Sequence, residues 1–159
     1  MKIAVIGAGN GGQAISGYLS LMGYDVSLYD IDKEKINILN QVGGVQLIGK
    51  IEGFGYINSI TTNIEMITTI ANAHRAVAMS IAPFIEEGQV IILNPGRTCG
   101  ALIFSQTLKS EGCKQRFYLG EAQTLLYACR VIENGKVNII GVKDEVLLAG
   151  LPSSDTDYI

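Results

Sequence analysis

The sequence predicts an α/β fold of the doubly wound type, with a mostly parallel sheet and a C-terminal β-hairpin. An apolar strand at the N-terminus runs into a glycine-rich turn and a helix, and strand and helix patterns then alternate along the chain. Near the end, Asn134-Gly135 interrupts a segment of alternating residues. The alternation of strand and helix patterns is typical of parallel sheets covered by helices. The chain has 159 residues, enough to bury a core, and we expect one domain over residues 1–152.

The first predicted elements are a buried strand and the helix that follows it. Residues 3–6 form an apolar run, and apolar residues recur at helical spacing over residues 14–22 before Gly23 ends the helix. Between them lies the pattern G-x-G-x-x-G, in the strand-to-helix context in which it binds dinucleotides. The alternative is a structural glycine turn without a ligand. The predicted cofactor-binding residues of this loop are Gly7, Ala8, Gly9, Asn10, Gly11 and Gly12.

Each glycine of the pattern has its own task in a Rossmann-type fold. Gly7 permits the sharp turn, Gly9 lets the backbone approach a pyrophosphate, and Gly12 lets the helix lie against the strand. Free N–H groups and the positive end of the helix dipole then face the phosphates. The loop therefore predicts a dinucleotide as the binding partner.

The second strand, residues 26–30, ends in a carboxylate. Asp30 lies about 20 residues beyond the glycines, where the ribose hydroxyls of the adenosine half are expected. A carboxylate accepts a hydrogen bond from the 2′-hydroxyl and repels a 2′-phosphate, so Asp30 favours NAD over NADP. Lys33 and Lys35 could weaken this repulsion, and NADP stays the alternative cofactor. Asp32 is the predicted N-cap of the next helix.

The later patterns continue the alternation. Residues 45–57 predict a small β-ribbon, and Asn134-Gly135 is a turn pair that accepts positive φ within a hairpin over residues 125–142. The other predicted elements are a helix over residues 73–85, a strand over 89–93, a helix over 102–108 and a strand over 117–120.

One connection is too short for the predicted topology. Residues 60–62 predict a third strand and residues 66–70 a fourth, with only Asn63, Ile64 and Glu65 between them. Adjacent parallel strands need a crossover of about a dozen residues or more. We therefore infer that about ten residues are absent between Glu65 and Met66. A natural deletion or a wrong strand assignment would also explain the short connection.

Composition narrows the function classes. The net charge of −3 and the 17% charged residues provide no basic surface for nucleic acid. We find no signal peptide or membrane segment, since the short apolar N-terminus leads directly into the glycine loop. Cys99, Cys113 and Cys129 are odd in number and widely spaced, which predicts inert thiols in the cytoplasm and neither a disulfide framework nor a metal site.

Several segments in order along the chain resemble the opine dehydrogenases, a group that includes octopine and nopaline dehydrogenases. The similarity runs nearly end to end, through residues 7–12, 73–78, 93–98, 100–102, 120–121 and 126–130 to Lys143 and Leu151-Pro152. The resemblance implies that NAD(P)H reduces the imine formed from an α-keto acid and the amino group of an amino acid. In that family a helical C-terminal domain supplies the catalytic histidine and its acidic partner. Residues 153–159 are then a tail or the start of a linker to that domain, which this sequence lacks.

Catalytic candidates are few. His74, the only histidine, follows the predicted fourth strand, where it could touch substrate or cofactor or cap the next helix. A general acid or base needs a positioning partner, and the local sequence shows none, so His74 is a candidate and no catalytic residue is assigned. Arg97 could pair with a substrate carboxylate or be a surface residue. Glu121 could line the cleft or be a solvated charge.

Three further residues are predicted to bind the cofactor. Ile70 and Ala71 match a position where relatives often have Val-Pro-Ala, and their backbone could contact the cofactor. Asn94 begins the turn Asn-Pro-Gly, which could present an amide beside the nicotinamide or be a turn without a ligand. At Cys99 and Ile103 relatives frequently have glycine and glutamate, so substrate contacts are not transferred there.

Other functions stay open. The chain could be a stand-alone NAD-binding regulatory module, or a relative of glycerol-3-phosphate dehydrogenase or ketopantoate reductase, which the Asn-Pro-Gly-Arg-Thr run argues against. If a helical domain normally covers the sheet edge, its absence leaves an apolar patch that promotes homodimers.

Overall fold

The computed structural model describes residues 1–63, 74–96 and 98–159. The chain divides into two units, one formed by Met1–Ile67 with Leu126–Asp144 and the other by Thr68–Leu125 with Glu145–Ile159. In chain order the elements are β1 (Lys2–Ile6), α1 (Asn10–Leu21), β2 (Asp25–Tyr29), α2 (Lys33–Val42), β3 (Gly44–Gly49), β4 (Gly53–Tyr56), β5 (Ser59–Thr61), α3 (His74–Ile81), β6 (Gln89–Leu93), α4 (Gly100–Ser110), β7 (Phe117–Ala122), β8 (Tyr127–Glu133), β9 (Lys136–Val142) and β10 (Leu148–Leu151).

The first unit begins with the predicted strand, turn and helix. Strands β1, β2 and β5 form a parallel sheet in the order β1-β2-β5. Its centre is apolar because Val5, Val26 and Leu28 are almost completely buried. Asp32 caps α2 as predicted, since its side chain accepts a hydrogen bond of 3.1 Å from the N–H of Lys35.

A second sheet in the first unit joins two segments that are distant in sequence. The predicted ribbon is the antiparallel pair β3–β4 and the predicted hairpin is the antiparallel pair β8–β9, and β3 pairs in parallel with β9. Helix α1 contacts strands of both sheets. The hairpin turn differs from the prediction in one respect: Gly135 has φ +88°, whereas Asn134 does not adopt positive φ. Only the residue without a Cβ takes the left-handed conformation.

The second unit contains a three-stranded sheet in the order β10-β7-β6. Strands β6 and β7 run parallel, β10 runs antiparallel to β7, and α3 contacts α4. Residues 153–158, within the segment predicted as a tail or linker, form a 3₁₀ helix. Both carboxylate oxygens of Asp155 in this helix accept a hydrogen bond of 2.8 Å from Arg116. The buried apolar core of this unit includes Ile81, Ile91, Leu93, Phe104, Leu108 and Leu119.

Several predicted boundaries shift in the structure. The third strand is Ser59–Thr61, and the helix predicted over residues 73–85 becomes α3 followed by a 3₁₀ helix, Ala82–Phe84. Pro83 explains the change, because proline lacks the N–H that an α-helix requires. The predicted fourth strand, the junction between Glu65 and Met66, and Arg97 lie outside the described residues.

Two further findings concern the described part of the chain. None of its helices combines the length and the apolar character needed to cross a membrane. Over the same residues, no three His, Cys, Asp or Glu side chains are grouped so that they could hold a metal ion.

Candidate functional site

The glycine loop has the geometry that its sequence predicts. Gly7 has φ +99°, and its N–H donates a hydrogen bond of 2.7 Å to the carbonyl of Tyr29. A Cβ on Gly12 would overlap the carbonyl oxygen of Gly7, so glycine is required where α1 approaches the loop. A Cβ on Gly9 would meet no atom within 4 Å, which leaves this side of the loop open.

The N-terminus of α1 is suited to bind an anion. Gly9 is its N-cap, no side chain caps it, and the first turn carries no acidic residue. Gln13 donates the first helical hydrogen bond, to the carbonyl of Gly9 at 3.0 Å. The N–H groups of Asn10, Gly11 and Gly12 precede it and have no acceptor within the helix. Together with the helix dipole, these N–H groups are available to bind a phosphate group, and their contact with a dinucleotide stays a prediction.

Asp30 lies at the end of β2, next to this loop. It is only 8% exposed, and its Oδ2 accepts a hydrogen bond of 2.6 Å from the N–H of Ala8. Its Oδ1 accepts one of 3.0 Å from the N–H of Asp32. Burial opposes ionisation of Asp30, but these two N–H groups and Lys35 outweigh it and lower the pKa of the carboxyl below its ordinary value. Asp30 therefore carries a negative charge at neutral pH and also holds the glycine loop.

Lys35 bridges the two acidic residues that follow β2. Its ammonium lies 3.2 Å from Oδ2 of Asp30 and 3.7 Å from Oδ2 of Asp32. Lys33 forms no ion pair with a described residue. Of the two lysines noted in the sequence, Lys35 is thus the one that offsets the charge of Asp30.

Two side chains of α1 connect the loop to the β8–β9 hairpin. Oδ1 of Asn10 accepts a hydrogen bond of 2.7 Å from the N–H of Val131, so this side chain is already engaged within the protein. Gln13, which is 1% exposed, contacts both Ala8 and the hairpin turn. Gln13 is not among the site residues predicted from the sequence. The available signal was an amide one turn into the helix that follows the glycine loop.

In the second unit, Asn94 follows β6 at its carboxyl end. Its Oδ1 is buried and accepts no hydrogen bond from any described residue. A buried acceptor without a partner is costly, so Oδ1 of Asn94 is available for a hydrogen bond from a donor outside the described residues. Two residues further, the N–H of Gly96 donates to the carbonyl of Ala122 at 3.2 Å and fixes the turn.

Glu121 and His74 lie at the N-terminus of α4. Oε2 of Glu121 accepts a hydrogen bond of 2.9 Å from the N–H of Ala101, so this carboxylate stabilises the helix start. The ring of His74 packs against Gly100, where a Cβ would lie 2.7 Å from Cε1. The sequence analysis offered two interpretations of Glu121, a cleft residue and a solvated charge. Neither of them included this capping role. The catalytic role of His74 stays a prediction.

An apolar groove of about 340 Å³ adjoins this helix start within the second unit. Cys99, Ala101 and Leu102 line one side, and Glu121 and residues 149–151 of β10 complete it. Leu102 in this groove is 56% exposed, and the predicted apolar patch at the sheet edge stays a prediction. Ile70 and Ala71, the two other predicted cofactor contacts, lie outside the described residues.

Comparisons with known proteins place this geometry in a family. A family model described as the NAD binding domain of 6-phosphogluconate dehydrogenase matches residues 2–98. An opine dehydrogenase of Arthrobacter sp. (strain 1C) is 34% identical over 165 aligned residues, which cover 98% of this chain and 46% of that enzyme. A glycerol-3-phosphate dehydrogenase (NAD(P)+) of Agathobacter rectalis is 30% identical over 102 residues, 57% of this chain and 30% of that enzyme. The chain thus spans less than half the length of these two relatives.

Solved structures show the same fold. Octopine dehydrogenase in complex with NADH and agmatine matches with a TM-score of 0.82 at 20% identity, covering 94% of this chain and 42% of that chain. A ketopantoate reductase from Ralstonia eutropha JMP134 matches with a TM-score of 0.69 at 18% identity, covering 94% of this chain and 49% of that chain. The Rossmann-type prediction and the resemblance to opine dehydrogenases are confirmed. The chain belongs to the family of NAD-binding domains described for 6-phosphogluconate dehydrogenase, and it is related to the opine dehydrogenases.

Proposed function

We propose that this chain is the cofactor-binding half of an opine-type dehydrogenase. The observation that carries the proposal is the 34% identity with the Arthrobacter opine dehydrogenase across 98% of the chain. The glycerol-3-phosphate dehydrogenase aligns with 57% of the chain, so it accounts for less of this sequence. NADH or NADPH, when bound, supplies the hydride that reduces the imine of an α-keto acid and an amino acid to a secondary amine.

The residues of the first unit bind the dinucleotide. The N–H groups of Asn10, Gly11 and Gly12 donate to the pyrophosphate, and the open face at Gly9 admits it. A carboxylate has about four acceptor positions. Asp30 uses three of them for Ala8, Asp32 and Lys35, which leaves one for a ribose hydroxyl.

The second unit contains a buried hydrogen-bond acceptor that we assign to a ligand. Oδ1 of Asn94 has no donor among the described residues and takes a hydrogen bond from a ligand N–H or O–H group. Ile70 and Ala71 contribute backbone contacts to the cofactor, as the family resemblance implies. In the family that this chain resembles, a helical domain supplies the catalytic histidine and its acidic partner, so we expect this chain by itself to bind the cofactor without turnover. The complete enzyme then takes an α-keto acid and an amino acid.

We also propose a cytoplasmic site of action. The argument is that Cys99, Cys113 and Cys129 are odd in number and widely spaced in the sequence, which fits inert thiols in a reducing compartment. Leu102 and Ile103 are exposed apolar residues, and we propose that a second domain or a second copy covers them.

Titration calorimetry with NADH and NADPH, combined with an NADH-oxidation assay, tests the proposal. The oxidation assay uses pyruvate with a panel of amino acids, and dihydroxyacetone phosphate in a parallel reaction. We expect NADH binding without turnover by this chain, and turnover with pyruvate and an amino acid once the helical domain is present. Oxidation with dihydroxyacetone phosphate would assign the glycerol-3-phosphate class instead. Turnover by the chain alone that is abolished in His74→Asn would move His74 into the catalytic machinery.

A further inference from the structure

The β8–β9 hairpin turn is connected to the glycine loop through one buried side chain. Nε2 of Gln13 donates to the carbonyl of Ala8 at 2.9 Å and to Oδ1 of Asn134 at 3.3 Å. Oε1 of Gln13 accepts a hydrogen bond of 2.9 Å from the N–H of Gly135. Gln13 is 1% exposed, so these contacts are shielded from water.

Gln13 and Asp30 together hold the Ala8 backbone from opposite ends. The N–H of Ala8 donates to Asp30, and its carbonyl accepts from Gln13. Ala8 itself is 1% exposed. If Asp30 or Gln13 is lost, water cannot replace it as the partner of the buried Ala8 N–H or carbonyl. Each of the two hydrogen bonds therefore strongly favours the observed backbone orientation.

The orientation of this carbonyl determines that of the next N–H group. The carbonyl of Ala8 and the N–H of Gly9 belong to one planar trans peptide, and therefore they point in opposite directions. Because the carbonyl points to Gln13, the N–H of Gly9 points away from Gln13. Gly9 is exposed, and a Cβ on it would meet no atom within 4 Å. A flip of this peptide would bring a carbonyl oxygen to the side where an anion binds.

We propose that the hairpin turn Asn134-Gly135, acting through Gln13, positions the Ala8–Gly9 peptide so that the N–H of Gly9 donates to the dinucleotide pyrophosphate. Gln13 is a positioning residue and does not touch the cofactor. The turn is well suited to this task because the carbonyl of Gly135 also accepts a 2.7 Å hydrogen bond from the N–H of Gln46 in β3. The hairpin therefore stays in place when Gln13 is changed. The proposal depends on the NAD-binding domain and not on the turnover proposed above.

Gln46 provides a matched control for a Gln13 variant. Its Nε2 donates to the carbonyls of Leu47 and Gly53 at 2.9 and 3.0 Å, within the same unit but away from the glycine loop. Gln13→Met and Gln46→Met each remove an amide that bridges backbone groups and keep a similar volume. Both are expected to lower the melting temperature.

The binding measurements separate positioning from stability. By calorimetry on the full-length protein, Gln13→Met should weaken NADH and ADP-ribose about tenfold, as expected when a hydrogen bond to a charged phosphate is lost. Adenosine, which lacks phosphate, should bind wild type and Gln13→Met with equal affinity in saturation-transfer NMR. Gln46→Met should leave all three affinities within about twofold of wild type. Unchanged ADP-ribose affinity in Gln13→Met, or an equal loss in Gln46→Met, would overturn the proposal.

A measurement on the wild-type protein keeps the test decisive if Gln13→Met does not fold. NADH should slow amide hydrogen exchange at Gly135, whose N–H donates to Gln13, more than at Gly53 in the β3–β4 ribbon. Equal protection of the two sites would refute the connection between hairpin and loop.

Discussion

Asp30→Asn tests whether the carboxylate at the end of β2 both holds the glycine loop and binds the cofactor. The carboxylate accepts from Ala8 at 2.6 Å, from Asp32 at 3.0 Å and from Lys35 at 3.2 Å. An asparagine amide has one oxygen and one NH₂ group in place of the two carboxylate oxygens. In either orientation of the amide, the NH₂ group therefore faces the N–H of Ala8 or the N–H of Asp32, which is also a donor. Loss of one charge-assisted hydrogen bond costs about 2 kcal/mol. This corresponds to a decrease of about 4–8 °C in melting temperature for a chain of this size.

Urea denaturation and calorimetry with NADH measure the two effects. We expect Asp30→Asn to lower the free energy of unfolding by about 2 kcal/mol and to weaken NADH about tenfold. Asp32→Asn is the matched control, since it makes the same charge change two residues away and asparagine is an equally good N-cap. The reasoning is refuted if the two variants have the same stability and the same NADH affinity.

The pH dependence of stability provides a second assay of the same residue. The pKa of Asp30 is lower in the folded protein than its ordinary value of 3.8. Its stabilising contribution is therefore complete above that ordinary value and is lost as the pH falls through the lower folded value. The difference in unfolding free energy between wild type and Asp30→Asn should thus be constant near neutral pH and shrink below about pH 4. A difference that grows on acidification would contradict the assignment.

Three other substitutions have definite expected results. Gly12→Ala places a Cβ on the carbonyl of Gly7 and should cost about 1–3 kcal/mol of stability together with most of the NADH affinity; wild-type binding by calorimetry would refute this. Lys35→Met leaves Asp30 without its cation and should weaken NADPH about tenfold relative to NADH, whereas Lys33→Met should not change the ratio. Asp155→Asn breaks the contact with Arg116 and should speed amide exchange in the C-terminal 3₁₀ helix; unchanged exchange would show that other contacts hold it.

Much of the candidate site could be predicted from the sequence because its residues are close together along the chain. The glycine pattern, the strand before it and the helix after it lie within residues 2–21, and local rules of turns and helix termini govern all of them. Asp30 follows as the end of the next strand. The N-cap at Asp32 was equally accessible, since its contact with Lys35 spans three residues.

The other contacts could not be predicted because they join distant parts of the chain. Gln13 reaches Asn134 and Gly135 only because β9 pairs with β3 and brings the hairpin to α1. The capping of α4 by Glu121 likewise depends on where β7 ends relative to that helix. Periodicity identifies strands but does not specify which strands pair across long separations.

The sequence by itself determined the fold class, the dinucleotide loop and the acidic residue that follows the second strand, since hydrophobic period and backbone sterics act over a few residues. The tertiary structure alone decided which donors surround Asp30, which amide orients the loop, and that Oδ1 of Asn94 is left buried without a donor among the described residues. These features depend on packing between elements, because hydrogen-bond satisfaction and burial exist only once the chain is folded.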